Sequence, residues 1–174
     1  MGILEQWSIT LDDLNKIIAE RPSLRGILMG FIAEYKLIQM LFENNDSRIG
    51  GLVKYKNHDR TQLGDLGFSY KGVPVSVQVK SLQTNSISKT GTRYSGRFQC
   101  DASDKRSVRL PNGETVETTC LVVGGFDLLA VNLFEFGQRW HFAFAKNTDL
   151  PRTRSRKYTP EQRSYLLATK VEIT

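Results

Sequence analysis

Gly64-Asp65-Leu66-Gly67-Phe68-Ser69-Tyr70-Lys71-Gly72-Val73-Pro74-Val75-Ser76-Val77-Gln78-Val79-Lys80 decides the fold. Leu66, Phe68 and Tyr70 alternate with Asp65, Gly67 and Ser69, and Val73, Val75, Val77 and Val79 alternate with Pro74, Ser76, Gln78 and Lys80. Strict alternation rich in β-branched residues predicts two strands, and Lys71-Gly72 predicts a two-residue hairpin turn. Setting Tyr70 opposite Val73 places Phe68 opposite Val75, Leu66 opposite Val77 and Asp65 opposite Gln78. The apolar set then shares one face and the polar set the other. Asp65, Gln78 and Lys80 meet at the end of the hairpin away from its turn. An acid, an amide and an amine gathered at one strand end read as a site rather than as a solvated face.

The chain around this hairpin has 174 residues, 40% hydrophobic and 24% charged, which suits a single domain, residues 1–174, with a real core. No apolar run is long enough to span a bilayer. Met1 to Trp7 lacks the basic-then-apolar layout of a signal peptide, so the cytoplasm is the expected compartment. Cys100 and Cys120 are widely spaced, and His58 and His141 are the only histidines, so a structural zinc site is disfavoured. Both cysteines read as small, partly buried residues. His58 falls in a polar loop, Asn57 to Gly64, and reads first as an exposed loop histidine.

The net charge is +6, which favours an anionic partner. Lys89, Arg93, Arg97, Lys105, Arg106 and Arg109 fall in one polar stretch, opposed there by Asp101 and Asp104, and Arg152, Arg154, Arg156 and Lys157 form a second cluster. Clusters of this kind either solvate a surface or hold phosphates.

Upstream, Leu11 to Glu20 has helical spacing with acids in its first turn, and Arg21-Pro22 is expected to stop it. Ser23 is a candidate cap for a longer helix to about Glu43. With Ile27 set at zero and 100° per residue, Phe31 falls at about +40°, Ile38 at about +20°, Leu41 at about −40° and Glu34 at about −20°. Glu34 is thus expected in the middle of the apolar stripe, where a carboxylate is costly unless paired or metal-bound. A buried ion pair, or a helix edge at the sheet margin, satisfies the same pattern.

Leu52 to Tyr55 reads as a first strand. Ser81 to about Arg106 reads as a long irregular polar stretch, with a short helix near Ala102 to Arg106. Val108 to Leu110 and Thr115-Val116 flank a turn. Phe126 to Phe136 reads as a central strand buried on both faces, with Asp127 as a second-rank polar candidate at its start. Trp140 to Ala145 reads as a further strand. Thr159-Pro160-Glu161 opens a helix expected to run through Leu167, and Lys170 to Ile173 closes the chain as a strand.

A helix carrying Glu34, a strand opened by Gly64-Asp65 and a strand carrying Gln78-Val79-Lys80 thirteen residues later together resemble the PD-(D/E)XK nuclease superfamily, in a Gln-x-Lys variant. The resemblance covers roughly residues 24 to 82. It departs from the family pattern in two places: no Pro precedes Asp65, and Gln78 replaces an acid. The resemblance implies an α/β (α+β) fold with a restriction-endonuclease-like core, a mixed central sheet flanked by helices, and polar DNA-contacting insertions. It implies catalytic roles for Glu34, Asp65, Gln78 and Lys80. It implies Mg²⁺, with Mn²⁺ as a substitute, held by Asp65, Glu34, the Gln78 amide oxygen and the Val79 carbonyl. The implied activity is a metal-dependent endonuclease on duplex DNA, closest to a type II restriction enzyme. Homing endonuclease, Holliday-junction resolvase, transposon endonuclease and a catalytically inactive DNA-binding protein remain open. Lys89, Arg93, Arg97, Lys105, Arg106, Arg152, Arg154 and Arg156 would contact the DNA, and cutting both strands would call for a homodimer or homotetramer. A protein-interaction domain with a merely solvated hairpin face is the reading furthest from the nuclease.

Overall fold

The computed structural model describes residues 1–43, 46–55 and 64–174. His58 lies outside the described residues. In chain order the helices and strands are α1 (Ile3–Gln6), α2 (Leu11–Glu20), α3 (Pro22–Glu43), β1 (Ile49–Lys54), β2 (Leu66–Tyr70), β3 (Val73–Ser81), β4 (Ser88–Thr90), β5 (Arg93–Gln99), β6 (Asp101–Arg109), β7 (Thr115–Cys120), β8 (Leu128–Asn132), β9 (Phe142–Lys146), α4 (Pro160–Tyr165) and β10 (Lys170–Ile173).

The hairpin β2–β3 forms in the expected register, with Leu66 opposite Val77, Phe68 opposite Val75 and Tyr70 opposite Val73. Lys71 and Gly72 both have positive φ, 50° and 81°. A turn with two such residues matches the twist of the strands it joins. β1 extends the sheet antiparallel to β2, β8 lies parallel to β3 with Ala130 opposite Val79, and β9 returns antiparallel. The result is a mixed five-stranded sheet in the order β1-β2-β3-β8-β9, within an α+β fold. Asp127 stitches the parallel pair together: its Oδ2 accepts from the Ser76 N–H and the Ser76 hydroxyl, each at 2.7 Å. Its carboxylate is exposed and serves the strand end.

α3 covers one face of this sheet. Ala33 and Leu37 are buried there against Leu66, Val77, Val79 and Ala130. The other face is covered by strands and loops: Phe98 and Cys100 pack on Leu82, Leu129 and Val131, closed over by Leu150 and Leu167. A third cluster joins Leu110, Cys120, Tyr158 and Leu166, with the Thr118 hydroxyl 2.7 Å from the Tyr158 hydroxyl. Both cysteines are buried and free. No helix among the described residues is long and apolar enough to cross a membrane.

The stretch from Ser81 to Arg106 differs most from expectation. Apart from one short 3₁₀ turn at Thr84–Ser86, it is mainly the strands β4, β5 and β6. Gly96 and Phe98 point inward while Arg93, Arg97 and Gln99 point out. The alternation is present in the sequence, but its inward set is sparse, and pairing with β10 and β4 makes the strand. The helix expected at Ala102 to Arg106 is part of β6, which pairs with β7. Pro22 does not precede a Ser23 cap; it is itself the first residue of α3, where its missing N–H has no partner to lose. α4 ends at Tyr165, and Leu166 and Leu167 bridge to Val122 and Arg152 as fully buried residues. The strand expected over Phe126 to Phe136 is limited to Leu128–Asn132, because the Asn132 carboxamide accepts the Phe134 N–H at 2.9 Å and turns the chain. Thr10, unremarked in the sequence, caps α2 reciprocally with Asp13.

Candidate active site

Gly64 brings the chain onto β3. Its φ is +84°, and a Cβ there would stand 2.6 Å from the Val77 carbonyl oxygen, so no other residue fits without backbone movement. The next N–H, that of Asp65, donates to this same carbonyl at 2.8 Å, and the Asp65 carbonyl accepts the Tyr55 N–H at 3.2 Å. Asp65 is therefore fixed between the end of β1 and the middle of β3 by its backbone before its side chain acts.

The Asp65 carboxylate turns back along β3. Oδ2 accepts the Val79 N–H at 2.7 Å and the Gln78 side-chain amide at 2.5 Å. Burial pushes the Asp65 carboxyl above the usual carboxylate range; the Val79 N–H, the positive charges of Lys80 and Lys54, and the Gln78 amide pull it partly back. Gln78 thus meets Asp65 as the register requires. In this arrangement its N–H group orients the carboxylate.

Glu34 reaches the site from α3, with a side chain 14% exposed, and its Oε2 lies 3.1 Å from Lys54 Nζ. The helix is rotated from its expected phase. Ala33 and Leu37 mark the buried centre, while Ile27 is 59% and Phe31 43% exposed. Glu34 is at the edge of the buried face instead of its middle. The stripe through Ile27, Phe31, Ile38 and Leu41 leaves out Ala33 and Leu37, the two residues that the sheet buries, and part of it faces solvent. The edge position lets the carboxylate reach past the sheet margin to Lys54. Burial raises the Glu34 carboxyl, the hydrogen bond from Lys54 lowers it, and the negative charge of Asp65 raises it further. The two carboxylates therefore share one field.

Lys80 Nζ donates to the Asp101 carbonyl oxygen at 2.9 Å, which holds the ammonium at the strand end. Burial also raises the Asp101 carboxyl, against the pull of Lys80. Burial pushes the neighbouring Cys100 thiol up to about 11, so it stays protonated near neutral pH and is no thiolate nucleophile.

The donor set is hard: two carboxylates with raised proton affinity that repel one another, an amide and a backbone strand end. Carboxylate oxygens of this kind are the donors that hard divalent cations such as Mg²⁺ and Mn²⁺ take. No group of three or more His, Cys, Asp or Glu side chains able to hold a metal occurs among the described residues. A small cation held by two carboxylates would keep several waters, as Mg²⁺ commonly does.

The basic residues divide. Lys89, Arg93 and Arg97 are exposed on β4 and β5, with Lys89 Nζ 5.1 Å from the centre of the Tyr94 ring. Lys105 is exposed on β6, whereas Arg106 is half-buried with its Nε unpartnered. β5 leads directly into Asp101, so this group is connected through the backbone to Lys80. Arg154 and Arg156 are exposed, but the Arg152 guanidinium is taken up by the carbonyls of Thr148 and Leu150. Their loop is tied to β7 by Lys157 Nζ on the Glu117 carbonyl at 3.1 Å.

Two participants escaped the sequence reading. Lys54 lies inside the strand expected at Leu52 to Tyr55, and nothing in the sequence sets it apart from the nearby Lys56. The Asp101 carbonyl carried no signal either, because a backbone oxygen has no sequence signature.

No family model matches this chain, and no curated protein matches it. Among solved structures, a bacterial homing endonuclease, I-Ssp6803I, is similar at a TM-score of 0.42 and 22% identity, over 80% of this chain and 86% of that one.

Proposed function

We propose that the chain is a metal-dependent endonuclease on duplex DNA, acting as one nuclease domain. The observation that carries this is the convergence of Asp65, Glu34 and Lys80 at one strand end, with Asp65 oriented by the Val79 N–H and the Gln78 amide. Asp65 and Glu34 would hold Mg²⁺, or Mn²⁺ in its place, with the Val79 carbonyl and the Gln78 amide oxygen as further donors; polarising a phosphoryl oxygen and acidifying a bound water is the chemistry such an ion brings. Lys80, steadied on the Asp101 carbonyl, would present its ammonium to the negative charge that builds on the phosphoryl oxygens as water adds and the P–O bond breaks. Lys89, Arg93, Arg97 and Lys105 would hold the phosphate backbone beside this end of the sheet.

A restriction-type role is the first reading within this class, with homing endonuclease and junction resolvase as the alternatives. One site cuts one strand, so double-strand cleavage needs a symmetric pair of chains. A specific observation favours a second reading, DNA binding without cleavage: Lys54 already neutralises Glu34, and Gln78 stands where an acid would add charge.

The test is incubation of supercoiled plasmid and long, varied duplex DNA with Mg²⁺ or Mn²⁺, followed by sequencing of the ends. Cleavage that disappears with chelator and in Asp65→Ala supports the nuclease. Discrete sites indicate restriction or homing, and structure-dependent nicks indicate a resolvase. A gel shift with no nicking in any divalent ion establishes the binder instead.

A further inference from the structure

β6 and β7 form a two-stranded ribbon that no third strand among the described residues joins. In its register Arg106 faces Thr118, Ser107 faces Glu117, Val108 faces Val116 and Arg109 faces Thr115. Side chains alternate between the two faces of a strand, so the ribbon has two faces of different chemistry. The inner face packs: Val108 and Val116 lie against the cluster of Leu110, Cys120, Tyr158 and Leu166, and the Thr118 hydroxyl meets that of Tyr158 at 2.7 Å. The outer face carries Ser107, Arg109, Thr115 and Glu117, all exposed. Among the described residues no ion pair takes up Arg109 or Glu117. None of the exposed large apolar residues lies on the ribbon, so a protein partner would find no apolar anchor there.

The ribbon is tied down at both ends. At its tip, Asn112 Nδ2 donates to Glu161 Oε1 at 3.1 Å and Gln162 Nε2 donates to Glu114 Oε2 at 2.9 Å, which fastens the turn to α4. At its root, Asp101 pairs with Cys120 and accepts the Lys80 ammonium on its carbonyl. Between root and tip, Ala102 to Lys105 stand against Thr119 alone, a bulge that bends the ribbon and re-aims its outer face. Cations flank that face. Lys105 is exposed on the β6 side. On the β7 side Lys157 Nζ donates to the Glu117 carbonyl and brings with it a loop on which Arg154 and Arg156 are exposed.

The major groove of B-form DNA admits a two-stranded ribbon; phosphates line its walls and base edges form its floor. The ribbon divides its chemistry in the same way, with cations at the sides and hydrogen-bonding side chains of mixed character between them. Arg spans the two acceptors of guanine, Glu accepts from the cytosine amine, and Ser and Thr serve either. We infer that the β6–β7 ribbon enters the major groove outer face first, where Arg109 and Glu117, helped by Ser107 and Thr115, read base edges and select the sequence. This rests on duplex DNA being the partner of the candidate active site, and none of the four residues belongs to the set that would hold phosphates. Counted along β7 from Cys120, Glu117 and Thr115 stand roughly 10 and 17 Å from the root, at about 3.4 Å per residue. DNA rises by about the same 3.4 Å per base step, so the bases read lie within about five steps of the phosphate held at Lys80.

Incubation of the full chain with a randomised duplex DNA library and Mg²⁺, followed by sequencing of the retained and the cut molecules, tests it. The wild-type chain should enrich a motif. Arg109→Ala should lower the preference at one position by roughly 5- to 150-fold and leave the other positions intact, and Glu117→Ala should do the same at a neighbouring position. Both variants should unfold as the wild type does, since both side chains are exposed and Lys157 holds only the Glu117 backbone. Lys105→Ala should weaken retention of all sequences alike and keep the motif. Duplex RNA, whose major groove is too narrow for a ribbon, should compete poorly. A motif that folded Arg109→Ala and Glu117→Ala both leave unchanged overturns the ribbon's role and leaves the nuclease reading standing on cleavage alone. So does a wild-type chain that retains or cuts duplex DNA with no base preference, or that duplex RNA displaces equally well. A chain that neither retains nor cuts the duplex overturns both.

Discussion

Gly64→Ala tests whether the backbone at Gly64 is what fixes Asp65. Two separate costs apply there. The φ of +84° places a side-chain-bearing residue in the left-handed region, at about 1 kcal/mol. The new Cβ would also lie 2.6 Å from the Val77 oxygen and 2.8 Å from its carbon. Those atoms are backbone of a strand hydrogen-bonded on both sides, so relief requires the whole approach to open. Gly72 provides the control. Its φ is +81° with nothing near a Cβ, so Gly72→Ala carries the conformational cost alone. The expected losses are about 1 kcal/mol for Gly72→Ala and about 3 kcal/mol for Gly64→Ala. At 2–4 °C per kcal/mol for a chain of this size, Tm should fall by roughly 2–4 °C and roughly 6–12 °C. Function should separate the two further. Opening the approach drags Asp65 away from the Val79 N–H, and a displacement of ~1 Å at a reacting group costs on the order of 100-fold in rate. Gly72 is at the far end of the hairpin and should leave the rate unchanged. The assay is thermal unfolding by circular dichroism, paired with plasmid nicking per folded molecule. Equal Tm losses at the two glycines, or wild-type nicking in Gly64→Ala, would refute the reasoning.

Other perturbations act on charge. Lys54→Met removes the cation that lowers the Glu34 carboxyl, so the acidic limb of the pH–rate profile should move to higher pH; an unmoved limb would separate Lys54 from the site. Asp65 and Glu34 bind protons more tightly in the folded chain than in the unfolded one. Stability from these groups is therefore fully present below the ordinary carboxylate range and is lost as pH rises through their raised values. Asp65→Asn should accordingly abolish cleavage yet raise Tm at neutral pH, and a lowered Tm there would contradict a burial-dominated site. Gln78→Glu exchanges a donor for a second acceptor against Asp65; tighter Mg²⁺ binding by calorimetry, with a steeper fall in stability as pH rises, is expected. Asp127→Ala loses the two bonds to Ser76 at an exposed strand end and should cost about 1 kcal/mol in thermal unfolding, with nicking unchanged.

The hairpin was legible because each of its determinants is local. Alternation assigns the faces, Lys71-Gly72 sets the turn, and the turn sets the register, so Asp65 and Gln78 meet by counting alone. α2 and the start of α4 were legible for the same reason: the helical spacing and first-turn acids Asp12 and Asp13 of α2, and the Thr159 cap of α4, act within a turn or two. β5 was not. Its inward residues, Gly96 and Phe98, are two among many polar neighbours, and it is a strand because β4 and β10 supply its hydrogen bonds. β10 is distant in sequence and no local pattern encodes it, whereas β4 is joined to β5 by the two-residue turn Gly91-Thr92, a local signal in a stretch too polar to read as strand.

Glu34 shows both sides of this division. The sequence by itself determined that a carboxylate sits among apolar residues on a long helix, since helical spacing follows from backbone geometry. Only the tertiary structure decided the phase of that helix on the sheet. Shape fitting between α3 and the β2–β3 hairpin buried Ala33 and Leu37 and left Ile27 and Phe31 in solvent. The same fit brought Glu34 to the sheet margin, 3.1 Å from Lys54 and within the field of Asp65. Helical periodicity gives the angle between two residues on one helix. Which angle faces the core is set by the surface the helix packs against.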